Sequence, residues 1–280
     1  FNSMIIVFFD KIKFFKINID NPDGKRKLHK NPTPLAGGTI IFINLIIYLT
    51  ILLKFSDLFT SEIIFENYRS LTLFFITSFL IFGLGFMDDR FNFPASIKFV
   101  LLCGIILFIL FFDSSLTIKL IKFSFLHKEF HLAQFSIFFS CFCFLVFLNA
   151  FNMFDGINLQ SSSYSMIIIL SILSFYSNFL LAKIILISLL GYSFLNYKEK
   201  SFLGDSGSLL IAFIIGYFFI KLYNYGKIDF TDEVVIYMLV PGIDLIRLFF
   251  KRILLKKNPL KSDRFHLHHL LLYKYTFFKS

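Results

Sequence analysis

Charge is scarce in this chain. Asp, Glu, Lys and Arg make up 16% of its 280 residues, where about 25% is usual for a soluble domain. Cysteine is scarcer still. Cys103, Cys141 and Cys143 all lie inside apolar runs, without Cys-x-x-Cys or Cys/His ligand spacing. The cysteines therefore indicate no zinc centre and no disulfide framework, and read as small packing residues. No internal repeat and no inverted pair of interrupted apolar segments stands out, which counts against a secondary transporter.

Apolar residues fill the space. They form 57% of the chain, Phe alone accounts for 44 positions, and the mean hydropathy is +0.75. A soluble globule of this size could not hide so much apolar surface, and a disordered chain would not contain it. The reading is an all-α polytopic membrane protein, one integral membrane domain over residues 1–280, with about nine to ten transmembrane helices. The net charge of +10 then belongs to loops that hold orientation and touch anionic lipid, and no nucleic acid partner is expected.

Apolar runs place a partial helix at Phe1–Phe9 and further helices near Leu35–Phe55, Tyr68–Phe86, Ile97–Phe112, Leu132–Leu148, Ser163–Ser177, Leu180–Leu195, Ser208–Tyr223 and Val234–Ile253. Their length without period-2 alternation argues against strands. The first run is shorter than the roughly 20 residues that span a bilayer, and no cleavable signal sequence precedes it. The expectation is a first helix cut short. Alternating the loops from side to side gives one face 17 Lys and Arg against 8 on the other. By the positive-inside rule the richer face is cytoplasmic.

That face also collects the unusual polar segments. Asp88-Asp89 closes the third run, with Lys98 opening the next. Adjacent carboxylates can hold a divalent cation or a basic group; solvated loop charge countered by Arg90 is the plainer alternative. Asn149, Asn152 and Asp155 step by three along the end of the fifth run, offering oxygen ligands or a base-reading edge, with helix capping by Asp155 as the alternative. Gly204-Asp-Ser-Gly-Ser208 opens the eighth, where Asp205 suits a helix cap and free amides suit an anion. Asp244 and Arg247 are spaced to pair on a helix after Pro241. The segment Asp263-Arg-Phe-His-Leu-His-His269 lies among lysines and suits phosphate better than zinc. Lys25, Arg26, Lys27, His29 and Lys30 could engage anionic lipid or phosphate. Carboxylates at a membrane edge are functional candidates, because each costs about 2.5–3.5 kcal/mol at a helix centre.

In order, Pro22…Arg26-Lys27-Leu-His29…Pro32-Thr-Pro34…Gly37-Gly38, Asp88-Asp89 with Lys98, Asn149-Ala-Phe-Asn152…Asp155-Gly156, Gly204-Asp205-Ser-Gly207-Ser208 and His266-Leu-His268-His269 resemble the polyprenyl-phosphate N-acetylhexosamine-1-phosphate transferases, the WecA/MraY group, and its WecA-like branch more closely. The resemblance covers about residues 20 to 270. It implies a bacterial inner-membrane enzyme, its site facing the cytoplasm, that moves an N-acetylhexosamine 1-phosphate from a UDP-sugar to undecaprenyl phosphate. UMP is released, with Mg²⁺ (or Mn²⁺ in its place), and a lipid-linked cell-envelope glycan is begun. On that reading Asp88 and Asp89 are catalytic, and Asn152 and Asp205 hold the metal. Lys98, Asn149, Asp155, Asn158, Arg264, His266, His268 and His269 contact the substrates. Membrane lipid is a partner, and a homodimer is an assembly open to such a chain. Two positions depart from the pattern: Leu35 stands where many members have Arg, and Asn158-Leu159 where Asp/Asn-Gly is common. Relatives usually continue beyond His269, so both ends are expected to be incomplete. The rival readings are a cation-coupled transporter and a truncated, inactive relative. A UbiA-like prenyltransferase fails because Arg90-Phe-Asn-Phe follows Asp88-Asp89. A CDP-alcohol phosphotransferase fails because no Ala-Arg…Gly…Asp…Asp run follows Asp155-Gly156.

Overall fold

The computed structural model describes residues 1–22, 31–55, 58–59 and 64–254. Its helices, in chain order, are α1 (Asn2–Phe8), α2 (Gly37–Lys54), α3 (Tyr68–Phe91), α4 (Ala95–Phe112), α5 (Ser136–Phe154), α6 (Gln160–Phe175), α7 (Leu180–Tyr197), α8 (Gly204–Asn224) and α9 (Thr231–Leu254). Two short antiparallel pairs join them: β1 (Ile19–Asp20) with β2 (Thr33–Pro34), and β3 (Leu120–Lys122) with β4 (Glu129–His131). The chain is therefore an all-α, multi-pass membrane protein. Among the described residues, six helices are long and apolar enough to cross a bilayer, fewer than the nine to ten expected. The difference has local causes. Helix α6 is apolar but has 16 residues. Helix α1 has only seven. Helix α9 carries acidic residues in its first turn and basic ones in its last, and Asp244 and Arg247 pair at 2.7 Å within it.

Helix α8 is the axis of the bundle. Its 21-residue sequence is apolar nearly all round, the signature of a helix surrounded by others, and 17 of those residues are buried. Helices α2, α3, α5 and α6 pack around it, with α4, α7 and α9 outside them. Aromatic rings fill the contact: Phe74 of α3 meets Tyr217 of α8 edge-on at 4.8 Å, and Phe144 of α5 stacks on Phe213 at 6.0 Å. The outer helix α4 has only 22% of its apolar span buried and presents the rest outward.

Both ends of this axis are polar. At the far end, fully buried Lys221 pairs with Asp113 at 3.0 Å and also binds the Ser115 hydroxyl and Tyr225. The β3–β4 hairpin lies beside it, where the Lys122 N–H donates to the Tyr223 hydroxyl at 3.1 Å. At the near end, β2 leads into α2 alongside the segment that precedes α8. The Phe202 N–H donates to the Pro34 carbonyl, and the Gly37 and Gly38 N–H groups donate to the carbonyls of Phe202 and Leu203. Glycine is required there by distance: a Cβ on Gly38 would lie 2.5 Å from the Gly207 nitrogen, and one on Gly85 would lie 2.5 Å from the Ser206 Cα. Helices α2 and α3 thus clamp the first turn of α8 by backbone contact.

Candidate active site

The polar residues at the near end come from four helices. Helix α3 does not stop at Phe86 as its apolar run implied. It continues to Phe91 and carries Asp88 and Asp89 in its last turns. A left-handed Asn92, with φ of 51°, ends it, and Pro94 precedes α4. Lys98 then lies in the first turns of α4, as its place at the opening of the apolar run implied. A carboxylate at a helix C-terminus and an ammonium at a helix N-terminus each oppose the local dipole. Across this short turn they offset one another: Lys98 Nζ lies 2.7 Å from Asp88 Oδ2, while Asp88 Oδ1 accepts the Phe93 N–H at 2.7 Å. The counter-ion of Asp88 is thus Lys98 and not Arg90, whose guanidinium sits over the Phe91 ring.

Lys98 has two further partners. It pairs with Asp205 Oδ2 from α8 and lies 3.4 Å from Asn152 Oδ1 on α5. Asn152 in turn donates through Nδ2 to Asp205 Oδ1 at 3.0 Å and to the Ser208 hydroxyl at 2.8 Å. Three oxygens, from Asp88, Asp205 and Asn152, therefore converge on one cationic group. Such an all-oxygen set suits a hard divalent cation, which takes one or two carboxylates and completes its shell with phosphate and water. Among the described residues no group of three or more His, Cys, Asp or Glu side chains is arranged to hold a metal by itself.

Asp89 is placed differently from its neighbour. Its Oδ1 accepts the Asp205 N–H at 2.7 Å. Its Oδ2 accepts the Ser206 N–H at 3.1 Å and the Ser206 hydroxyl at 2.8 Å. Two expectations are corrected by this. Asp205 does not cap α8: the N-cap position is Leu203, with no side-chain cap, and Asp205 lies inside the first turn. Nor are the first amides open to an outside anion, because the Asp89 carboxylate already occupies them.

The remaining candidates lie around this cluster. Asn149 donates to the Leu145 carbonyl one turn back on its own helix, at 2.7 Å. Asp155 does not continue the face of Asn149 and Asn152. Helix α5 ends at Phe154, and Asp155 takes non-helical angles. Its half-buried carboxyl is pushed up to about 7 by burial. Asn158 is exposed and lies 3.5 Å from Asn196 Nδ2. Asn196 holds this loop, accepting the Leu159 N–H at 2.7 Å and donating to the Ser201 carbonyl at 2.8 Å. Leu159 sits in the left-handed region with φ of 66°, where glycine is unstrained. Arg264, His266, His268 and His269 lie outside the described residues, as do Lys25, Arg26, Lys27, His29 and Lys30. Sequence reasoning missed Asn196, Ser206 and Ser208. Ser206 and Ser208 were legible only as part of the Gly-Asp-Ser-Gly-Ser segment.

The chain is similar to several known proteins over most of its length. The chain is 26% identical over 283 residues to a Salmonella typhi protein named undecaprenyl-phosphate alpha-N-acetylglucosaminyl 1-phosphate transferase, covering 96% of this chain and 73% of that one. A Thermotoga maritima protein of the same name is 27% identical over 270 residues, covering 96% and 76%. A Bacillus subtilis protein, a probable undecaprenyl-phosphate N-acetylglucosaminyl 1-phosphate transferase, is 26% identical over 264 residues, covering 91% and 69%. The family model described as glycosyl transferase family 4 matches residues 71–223, a stretch that carries Asp88, Asp89, Lys98, Asn152 and Asp205. With more than half its length matched, and with these side chains gathered at one end of its central helix, the chain belongs to glycosyl transferase family 4.

Proposed function

We propose that this protein transfers an N-acetylhexosamine 1-phosphate from a UDP-sugar to polyprenyl phosphate at the cytoplasmic face of the bacterial inner membrane. UMP is released and a lipid-linked glycan is begun. The observation that carries the reading is the convergence of Asp88, Asp205 and Asn152 on Lys98 at one end of α8, in a chain whose relatives are named undecaprenyl-phosphate N-acetylglucosaminyl 1-phosphate transferases.

The chemistry follows from charge. An oxygen of the acceptor phosphate attacks the β-phosphorus of the donor. The bond from that phosphorus to the bridging oxygen breaks, and the electron pair leaves on UMP. A phosphate monoester loses its second proton near pH 6, so the acceptor needs no strong base. Its approach to a pyrophosphate does need neutralisation. Lys98 supplies one positive charge, and here its ammonium takes the oxygens of Asp88, Asp205 and Asn152. Asp205 and Asn152 would hold Mg²⁺ through those oxygens once Lys98 turns to a substrate phosphate, with Asp88 beside them at the same focus. The ion would supply further neutralisation of the phosphates. Asn152 presents its Oδ1 to that focus because its Nδ2 is tied to Asp205 and Ser208. The transporter alternative asks for carboxylates near the bilayer midplane, whereas Asp88 and Asp205 occupy helix ends.

Purified protein in detergent, given undecaprenyl phosphate, Mg²⁺ and a panel of radiolabelled UDP-N-acetylhexosamines, should form labelled lipid and release UMP. No labelled lipid with any donor would remove the transferase reading.

A further inference from the structure

We infer that Asp89 is a positioning residue: it caps α8 from a different helix and thereby aims Asp205, and takes no direct part in the chemistry. The inference rests on the transferase reading and divides the labour within its Asp-Asp pair.

The geometry separates two neighbours that look equivalent in the sequence. Asp88 faces Lys98 at 2.7 Å, in the cluster with Asp205 and Asn152. Asp89 turns toward the start of α8, and three donors from Asp205 and Ser206 take up its two oxygens. This is the work of an N-cap side chain, done across a helix interface. Helix α8 has no side-chain cap of its own, and its first amides would otherwise be orphaned.

A second observation points the same way. Gly204 has φ of 72°, and a Cβ there would lie 2.7 Å from Asp89 Oδ2. The backbone before Asp205 is shaped around this carboxylate. Because Asp89 Oδ1 binds the amide of Asp205 itself, the bond fixes the residue whose side chain meets Lys98 and Asn152. Displacing a reacting group by even 1 Å can lower turnover by about a hundredfold.

The test compares Asp89→Asn, Asp89→Ala and Asp88→Asn in the purified full chain, by steady-state kinetics with Mg²⁺ and by amide hydrogen exchange at Asp205 and Ser206. Asn keeps one acceptor oxygen for the Asp205 N–H, and its Nδ2 can donate to the Ser206 hydroxyl, so only the Ser206 N–H loses its acceptor. Asp89→Asn should therefore keep kcat within about tenfold of the parent, and Asp89→Ala should lose about a hundredfold. Donor KM should stay unchanged in both. Asp89→Ala should speed exchange at the two amides by about tenfold, whereas Asp88→Asn should leave exchange unchanged. An Asn variant as inactive as the Ala variant, with exchange at the parent rate in both, would overturn the inference and return Asp89 to the chemistry. So would an Ala variant with the parent kcat. Were the parent itself inactive with every donor, the transferase reading would fail, while the exchange measurement would still decide whether Asp89 caps α8.

Discussion

Asp205 carries the greatest load of any single residue. Its side chain meets Lys98 and Asn152, while its amide is held by Asp89. Asp205→Asn preserves shape and amide but removes one negative charge from the focus. It should lower transfer by two orders of magnitude or so while leaving the thermal transition within a few degrees of the parent. Retention of most activity at saturating Mg²⁺ would remove Asp205 from the site. The residue identities here were legible in the sequence: paired carboxylates, an Asn ladder and Gly-Asp-Ser-Gly are conspicuous among apolar residues. Their roles were not. Asp88 and Asp89 differ by one step along a helix, about 100° of rotation, and only the packing of α3 against α8 decides which one faces which neighbour. Leu159 is a similar case. Its departure from glycine was visible, but its left-handed backbone, held by Asn196, was not.

The helices themselves were legible to within a few residues at their apolar centres and misplaced at their polar ends. Hydropathy ends a span where charge begins, whereas the backbone continues until a conformational stop such as left-handed Asn92. That is why α3 and α5 run on past their apolar stretches through Asp88, Asp89, Asn149 and Asn152. The apolar reading also passed over Lys221, since one cation in a long hydrophobic run barely changes its mean. Inside the bundle it matters more. Asp113→Ala leaves the ammonium buried without its carboxylate, and loss of one partner from a buried pair costs about 3–5 kcal/mol. Thermal unfolding in detergent should fall by several degrees or more. Replacing both residues together, as Asp113→Leu with Lys221→Met, should recover much of the loss. An unchanged transition in the single variant would show that Ser115 and Tyr225 suffice to hold Lys221.

For the whole molecule, the placement of polar clusters at opposite ends of α8 makes the topology testable. Cysteines introduced at exposed Glu199, near the Asp205 end, and exposed Lys128, on the β3–β4 hairpin, should label from opposite sides of sealed vesicles. Positive-inside counting puts Glu199 in the cytoplasm. Labelling of both from one side would defeat the arrangement. The native cysteines lie in α4 and α5, where Cys141 is buried, and are poor competitors for reagent.

The two polar ends of α8 also act as a ruler. Asp205 and Lys221 are sixteen residues apart, which is about 24 Å at a helical rise of 1.5 Å per residue. On outward-facing α4, the apolar stretch after Lys98 runs only to Phe112, about 21 Å by the same rise. A typical hydrocarbon core is about 30 Å thick. The mismatch predicts that the surrounding bilayer thins toward the protein, bringing the headgroup plane, and the phosphate of any lipid acceptor within it, toward the level of Lys98 and Asp205. Reconstituted into phosphatidylcholines of increasing acyl length, the protein should turn over fastest in the thinner bilayers and slow as the chains lengthen. A rate indifferent to thickness would mean that the acceptor reaches the site by a route that hydrophobic mismatch does not control.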